Sequence, residues 1–159
     1  MKKISRVFMT LGCLCILVSC CLFGYTHYHQ YKEIKNMQTL YKETLPLLPD
    51  NYISSQGGYL DIQGYGIEAV LEVGSIHLVI GDEETLPHYK NKNIVIPDLF
   101  LTEIEKIKSQ DILTIHFVSG AKKTYLCEVI GEVETLSQDT PAMYCKSGSH
   151  YYCINLIRV

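Results

Sequence analysis

The chain has no tryptophan, only four phenylalanines and only five prolines. Its aromatic character rests on twelve tyrosines. It also lacks an excess of positive charge: fourteen Lys and Arg stand against seventeen Asp and Glu, a formal net charge of −3. That balance excludes the basic footprint of a general nucleic-acid binder. No internal repeat and no low-complexity stretch occurs, which excludes solenoids and arrays. There is no G-x-x-x-x-G-K-S/T phosphate loop, no G-x-S-x-G nucleophile elbow and no His/Cys spacing of a zinc site. No cofactor and no metal are therefore expected. The acidic run "GDEE" from Gly81 to Glu84 lacks the alternating ligands of a calcium loop and reads as a solvated turn. At 159 residues, 47% hydrophobic, the chain suffices for one domain with a real core and is too short for two.

The N-terminus carries an address. Lys2, Lys3 and Arg6 precede an uncharged run from Val7 to Tyr25, nineteen residues long. At 1.5 Å rise per residue such a run matches a hydrocarbon core of ~30 Å. The basic flank belongs on the cytoplasmic side, so everything after Tyr25 is expected outside. Residues 1–25 thus read as a membrane anchor, with a cleaved signal peptide as the rival. "LVSC" (Leu17–Cys20) also resembles a lipobox with Cys20 as acceptor, although the apolar run continues through Leu22 and Phe23. Each reading gives an extracytoplasmic domain, and the anchor reading holds it at the cell membrane by a single pass.

Seven cysteines divide between the apolar run (Cys13, Cys15, Cys20, Cys21) and the exported part (Cys127, Cys145, Cys153). Three is odd, so at least one exported thiol lacks an intramolecular partner. A loop centred on Ser149 would set Cys145 opposite Cys153, at disulfide range. Both also stand as core residues or as nucleophiles. Cys127 shares a strand face with Tyr125 and Val129, a buried position.

Residues 26–50 read as a helical stalk or a helix laid on the domain, because Ile34, Met37, Tyr41 and Leu45 recur at helical spacing until Pro46 and Pro49 end the pattern. From residue 51 onward the period changes to two. Strands are expected at "GYLDIQ", "IEAVLEV", "IHLVIG", "NIVIP", "ILTIHFV", "TYLCEVIGEV", "AMYC" and "YYCINLIRV", with "DEETLPHYKNK" and "LSQDTP" as loops. Within "DLFLTEIEKIKSQD" Phe100, Ile104 and Ile107 share one helical face, and Thr102 with Glu105 has the pattern of a capping box. In "ILTIHFV" the alternation sends Leu113, Ile115 and Phe117 inward and His116 outward. The exported part, 51–159, is mostly β: a small barrel or sandwich of about seven or eight strands with one short helix.

The order of these pieces resembles the sortases, membrane-anchored cysteine transpeptidases of Gram-positive bacteria, of the class C or D kind. "GYLDIQGYGIEAVL" is similar to the family's opening strand pair. "KNKNIVIPDLFLTEIEKIKSQDILTIHF" is similar to its "N-x-V-I-A-G-H" strand and following helix, "SGAKKTYLCEVIGEVET" to its "G-x-x-x-x-Y-x-V" hairpin, and "INLIRV" to its "T-L-x-T-C" strand. The resemblance implies a sortase-like β-barrel after an N-terminal transmembrane helix, and a His–Cys–Arg site. There a thiolate attacks a peptide carbonyl, a thioester forms, and an amine resolves it.

Transferred residue by residue, the site is not filled. The place of the family His, directly after "NIVI", reads Pro97–Asp98. With "INLIRV" as the cysteine strand, Val159 stands in the nucleophile's place, and the next strand, which bears the Arg, is missing. Placing Cys145 there instead makes the last strand the one with Arg158. Cys145 lies twenty residues past Tyr125 and Val159 thirty-four, and the longer spacing is nearer the family's. The reading is a degenerate or shortened sortase-like protein: a non-catalytic binding or accessory module for surface proteins or peptide segments, with an unpaired strand edge where the last strand is lost. The alternative is a divergent cysteine transpeptidase that anchors surface proteins or pilins to the cell wall, using Cys145 or Cys153 with His88 or His150 and with Arg158 as the cation. His88 precedes "NIVIP" in a polar loop, and His150 sits in the turn before the last strand.

Overall fold

The computed structural model describes residues 2–49, 58–82, 85–135 and 140–159. It divides into two compact units, residues 1–35 and 36–159. Glu83 and Glu84 of the acidic turn, the loop residues 136–139 and the linker 50–57 lie outside the described residues.

The first unit belongs to one helix, α1 (Lys2–Thr44). A window of mean hydropathy 1.6 within Leu11–Leu47 makes this helix long and apolar enough to cross a membrane. Two described hydroxyls of this helix bond within it. Ser19 Oγ donates to the Cys15 carbonyl at 2.8 Å and Thr26 Oγ1 to the Leu22 carbonyl at 2.9 Å. Such bonds one turn back remove hydroxyls that an apolar medium would leave unpaired.

The second unit is mostly β. Nine strands are described: β1 (Leu60–Ile62), β2 (Tyr65–Val73), β3 (Ile76–Gly81), β4 (His88–Lys90), β5 (Asn93–Ile96), β6 (Ile112–Phe117), β7 (Lys122–Val133), β8 (Ala142–Ser147) and β9 (His150–Arg158). They join into one sheet in the order β1-β2-β6-β7-β9-β8-β5-β4, with β3 also on β2. All pairings are antiparallel except β5 with β8. The sheet curls: Tyr89 on β4 stacks on Phe117 of β6 with ring centroids 6.0 Å apart, although β5, β8, β9 and β7 stand between those strands in the sheet.

The expected strands are all present, and one was missed. The loop read at "DEETLPHYKNK" contains β4, which turns into β5 at Asn91, φ +61, a left-handed conformation that asparagine tolerates. Three residues with a lysine give little periodicity to detect.

The core face follows from alternation. Leu71 and Ile115, cross-strand partners, are 0% and 1% exposed, and Leu113, Cys127 and Leu156 continue the same face. A 3-10 turn (Asp98–Phe100) and the four-residue helix α2 (Leu101–Ile104) close over β8. Phe100, Ile104 and Ile107 are 2%, 0% and 3% exposed, as their shared face requires. The capping box does not form: Thr102 lies inside α2, whose first flanking residue is Phe100, and no side chain caps it. The helix is held by its apolar face, and its terminus contributes little.

Residues 36–44 of α1 pack on the opposite face of β2 and β3. Met37, Leu40 and Thr44 are buried, and Tyr41 donates a hydrogen bond to Glu72 while stacking on His77 at 4.6 Å. The Val79 amide donates to Met37 Sδ at 3.2 Å along the outer edge of β3. The other end of the sheet, β4, is three residues long, follows Pro87 and carries Lys90. Both ends are therefore blunted against strand addition. The unpaired edge expected beside the last strand is not found, since β9 pairs with β7 on one side and β8 on the other.

Phe100→Ala removes a fully buried ring and is expected to destabilise the full chain by roughly 3–5 kcal/mol. Thr102→Ala is expected to change stability by less than about 0.5 kcal/mol. Urea unfolding of the two variants side by side checks both, and equal losses would restore the cap as the helix's support.

Candidate functional site

The parallel pairing of β5 with β8 decides where a thiol can act. Ile94 pairs with Met143, Val95 with Tyr144 and Ile96 with Cys145. Cys145 therefore lies beside the end of "NIVI", next to Pro97–Asp98. Its Sγ donates to the Pro97 carbonyl at 3.4 Å and lies 3.8 Å from the Lys146 carbonyl. The residue is 0% exposed. Across β9 its partner is Tyr152.

The surroundings of this thiol are acidic. Burial pushes Cys145 up to about 11, and Asp98 and Glu105 add to the rise. Burial first and then Glu105 also raise the Tyr152 phenol. A nucleophilic cysteine needs a cation or an imidazolium to hold it as thiolate, and the oxyanion it generates needs donors or positive charge. Two carboxylates oppose both. At neutral pH this sulfur is a thiol, donating its proton to a backbone carbonyl.

The other sequence-derived candidates do not converge on it. His88 pairs with Val95, Val95 with Tyr144 and Tyr144 with Cys153, so His88 and Cys153 lie in one row on the face opposite Cys145. Within that row they are three strand spacings apart, roughly 14 Å. The Nδ1–H of His88 donates to the Leu86 carbonyl at 3.1 Å. Cys153 is buried and pushed up by that burial alone. His150 is exposed and pairs with Ser147 at the hairpin turn. Arg158 is exposed at the far end of β9, paired with Tyr125. Six residues separate it from Tyr152, which is roughly 20 Å of strand.

Of the alternatives for Cys145 and Cys153, the disulfide is not formed; both thiols are free and buried. The reason is one residue of register. Ser147 pairs with His150 across a two-residue turn, with Gly148 at φ +60. A glycine at the first turn position suits a II′ hairpin, whereas a loop centred on Ser149 would need an odd count. The shift places Cys145 opposite Tyr152 and Cys153 opposite Tyr144, so the two sulfurs point to opposite faces. The G-S pair was a sufficient signal for this turn.

Cys127 is 1% exposed and pushed up to about 11, by burial first and then by Asp111, as its face position implied. His116, expected outward and solvated, is half-buried with Nε2 3.8 Å from a Glu72 carboxylate oxygen. That Tyr41–Glu72–His116 cluster was not foreseen, because it needs α1 and β6 to meet on one face of β2. A small cleft of about 240 Å³ lies among Gly58, Tyr59, Glu68, Phe117 and Ser119. Among the described residues no group of three or more His, Cys, Asp or Glu could hold a metal ion.

No protein-family model and no curated protein matches the chain. Among solved structures, sortase C from Clostridium perfringens is similar at 17% identity and a TM-score of 0.44, over 58% of this chain and 70% of that one. Sortase C-1 from Actinomyces oris is similar at 13% identity and a TM-score of 0.44, over 82% of this chain and 98% of that one.

Raised thiol values have a defined consequence for stability. In the unfolded chain Cys127 and Cys145 ionise near their ordinary value of about 9, and in the folded chain near 11. Between those values the folded state binds more protons, so stability falls as pH rises through this window. The fall is expected to reach about 2–3 kcal/mol per thiol by pH 11, from 1.36 kcal/mol per pKa unit. Urea unfolding at pH 8 and pH 10.5 checks it against Cys145→Ala, whose loss over the same range should be smaller, with the remainder carried by Cys127, Cys153 and the buried tyrosines.

Proposed function

We propose that this chain is a membrane-anchored, extracytoplasmic protein built on the sortase plan, acting at the cell surface as a non-catalytic binding or accessory module for peptide or protein segments. The carrying observation is Cys145. It stands at the end of the parallel ladder with "NIVI", two residues before β8 ends, and one further strand, β9, follows it. A following strand is what the sequence resemblance calls for after a nucleophile, and it favours Cys145 over Val159 for that slot. The slot is then occupied by a thiol without helpers. Pro97 and Asp98 stand where the resemblance calls for an imidazole, and Tyr152 stands across from the sulfur in place of a guanidinium. Burial, Asp98 and Glu105 all hold the proton on.

The apolar α1 with its basic N-terminal flank supports the anchor, and the charge asymmetry supports an exported second unit. A transpeptidase reading survives in one respect: the thiol is in the slot. It requires the loop after β5 to open and a base to come from elsewhere, since His88 is on the wrong face and His150 is solvated in the turn.

Thiol labelling separates the two. The full chain in detergent micelles is treated with iodoacetamide at pH 6.5, and modified residues are read by peptide mass mapping. Cys127, Cys145 and Cys153 are expected to stay unmodified until urea is added. Rapid modification of Cys145 alone in the folded chain, lost in His150→Ala, would establish an activated thiol and remove the non-catalytic reading.

A further inference from the structure

The small cleft of the second unit has the chemistry of a cation site. It is about 240 Å³ and is lined by Gly58, Tyr59, Glu68, Phe117 and Ser119. That is below the roughly 300 Å³ at which pockets begin to hold a drug-sized molecule, so it suits a head group. The cleft is not the Cys145 slot. Tyr89, which stacks on Phe117, is seated on Ile94 in the row of Met143, whereas Cys145 lies two residues further along β8, against Pro97. Two walls of the cleft are aromatic. The Tyr59 ring is exposed, and the Phe117 ring is half-buried with Tyr89 stacked against it at 6.0 Å.

The charge in the cleft comes from a bulge. Ile67 and Ala69 are fully buried, so simple alternation would send Glu68 to the other face; the β2 register shifts between them, and a bulge re-aims the side chain it carries. The Glu68 carboxylate is half-buried and makes no ion pair among the described residues. Its charge is felt at Tyr89, whose phenol is pushed up by burial first, then by Tyr125 and Glu68. The rings already attract a cation. Lys123 Nζ lies over Phe117 at 4.9 Å from the ring centroid, within the ~6 Å reach of a cation–π contact. Lys123 is exposed and has no ion-pair partner among the described residues either. The kind of cation that fits follows from the walls. A primary ammonium is strongly hydrated and must replace its water with three acceptors. A quaternary ammonium has no donor, and its methyl groups pack on ring faces, which here outnumber the single carboxylate.

We propose that the cleft bounded by Tyr59, Glu68 and Phe117 binds a quaternary ammonium head group, with the two rings packing on its methyl groups and Glu68 balancing its charge. This goes beyond the proposed function and does not depend on it. Lys123 is then an internal competitor. Its like charge stands on one of the two rings and lowers the affinity for as long as it stays there.

An NMR titration of the full chain in sugar-headgroup detergent micelles tests the site. Tyrosine and phenylalanine are isotope-labelled, and the Tyr59 and Phe117 signals are assigned with Tyr59→Phe and Phe117→Leu. Tetramethylammonium chloride, at ionic strength held constant with sodium chloride, is expected to move both signals saturably in the millimolar range. tert-Butanol, which is neutral and similar in size, and methylammonium are each expected to bind at least about fivefold more weakly. Glu68→Gln is expected to weaken tetramethylammonium binding about tenfold. Lys123→Ala is expected to strengthen it about threefold, a gain that a merely structural lysine would not give. Far-UV circular dichroism confirms that each variant is folded. The absence of a saturable shift with tetramethylammonium overturns the inference, as does an affinity indifferent to either substitution. Equal binding of tert-butanol also overturns it and leaves an apolar cleft only. Equal binding of methylammonium overturns it and assigns the cleft to protonated amines.

Discussion

The strand β9 is hydrogen-bonded along both of its edges, to β7 over most of its length and to β8 through a two-residue turn. Antiparallel pairing with β7 carries one face of β9 into the core, where Leu156 and Ile154 lie among Cys127 and the apolar residues of β6. Once that face is committed, the side-chain period of two leaves no freedom at β8. Every residue from Ala142 to Ser147 is assigned a face, and through the parallel ladder so is every residue of β5. The positions of the three thiols of the second unit, of His88 and of Tyr152 descend from this single seating.

The chemistry at Cys145 follows from the same geometry. A sulfur at the end of the β5–β8 ladder is covered by the 3-10 turn and helix that leave β5, and those elements bring Asp98 and Glu105 with them. Burial alone would make the thiol inert. Negative charge beside it makes ionisation harder still, so both effects act in one direction. A cation within reach would have opposed them. Lys146, next in the chain, is exposed on the other face of β8, and Arg158 and His150 are carried away along β9 and around its turn.

Much of the fold was legible in the residues. Alternation located every described strand but β4, and the shared face of Phe100, Ile104 and Ile107 located the short helix. Cys127 was placed correctly by its parity with Tyr125 and Val129. What was not legible was which strands become neighbours. β5 and β8 are separated by forty-five residues between Ile96 and Ala142, and no local pattern announces a parallel pair at that distance. The placement of "INLIRV" in the cysteine slot rested on motif and spacing alone, without knowledge of its neighbours. The disulfide failed for a smaller reason, one residue of turn length, although Gly148–Ser149 already favoured the two-residue hairpin. The capping pattern at Thr102 shows the reverse case, a local signal that tertiary packing overrode.

The thioether of Met37 at the rim of β3 has a consequence for how the molecule lives among its copies. Among the described strands none pairs along the outer side of β3; there the Gly81 amide donates to the Pro87 carbonyl, and the stretch before it is the kind of flank that recruits strands from other chains. A sulfur is a feeble acceptor, so the amide of Val79 gains little from it in bond strength. What it gains is occupancy: a bulky, apolar and buried side chain takes up the volume that an incoming backbone would need. The end of the helix works as a stopper, excluding a zipper by bulk where it cannot compete by hydrogen bonding.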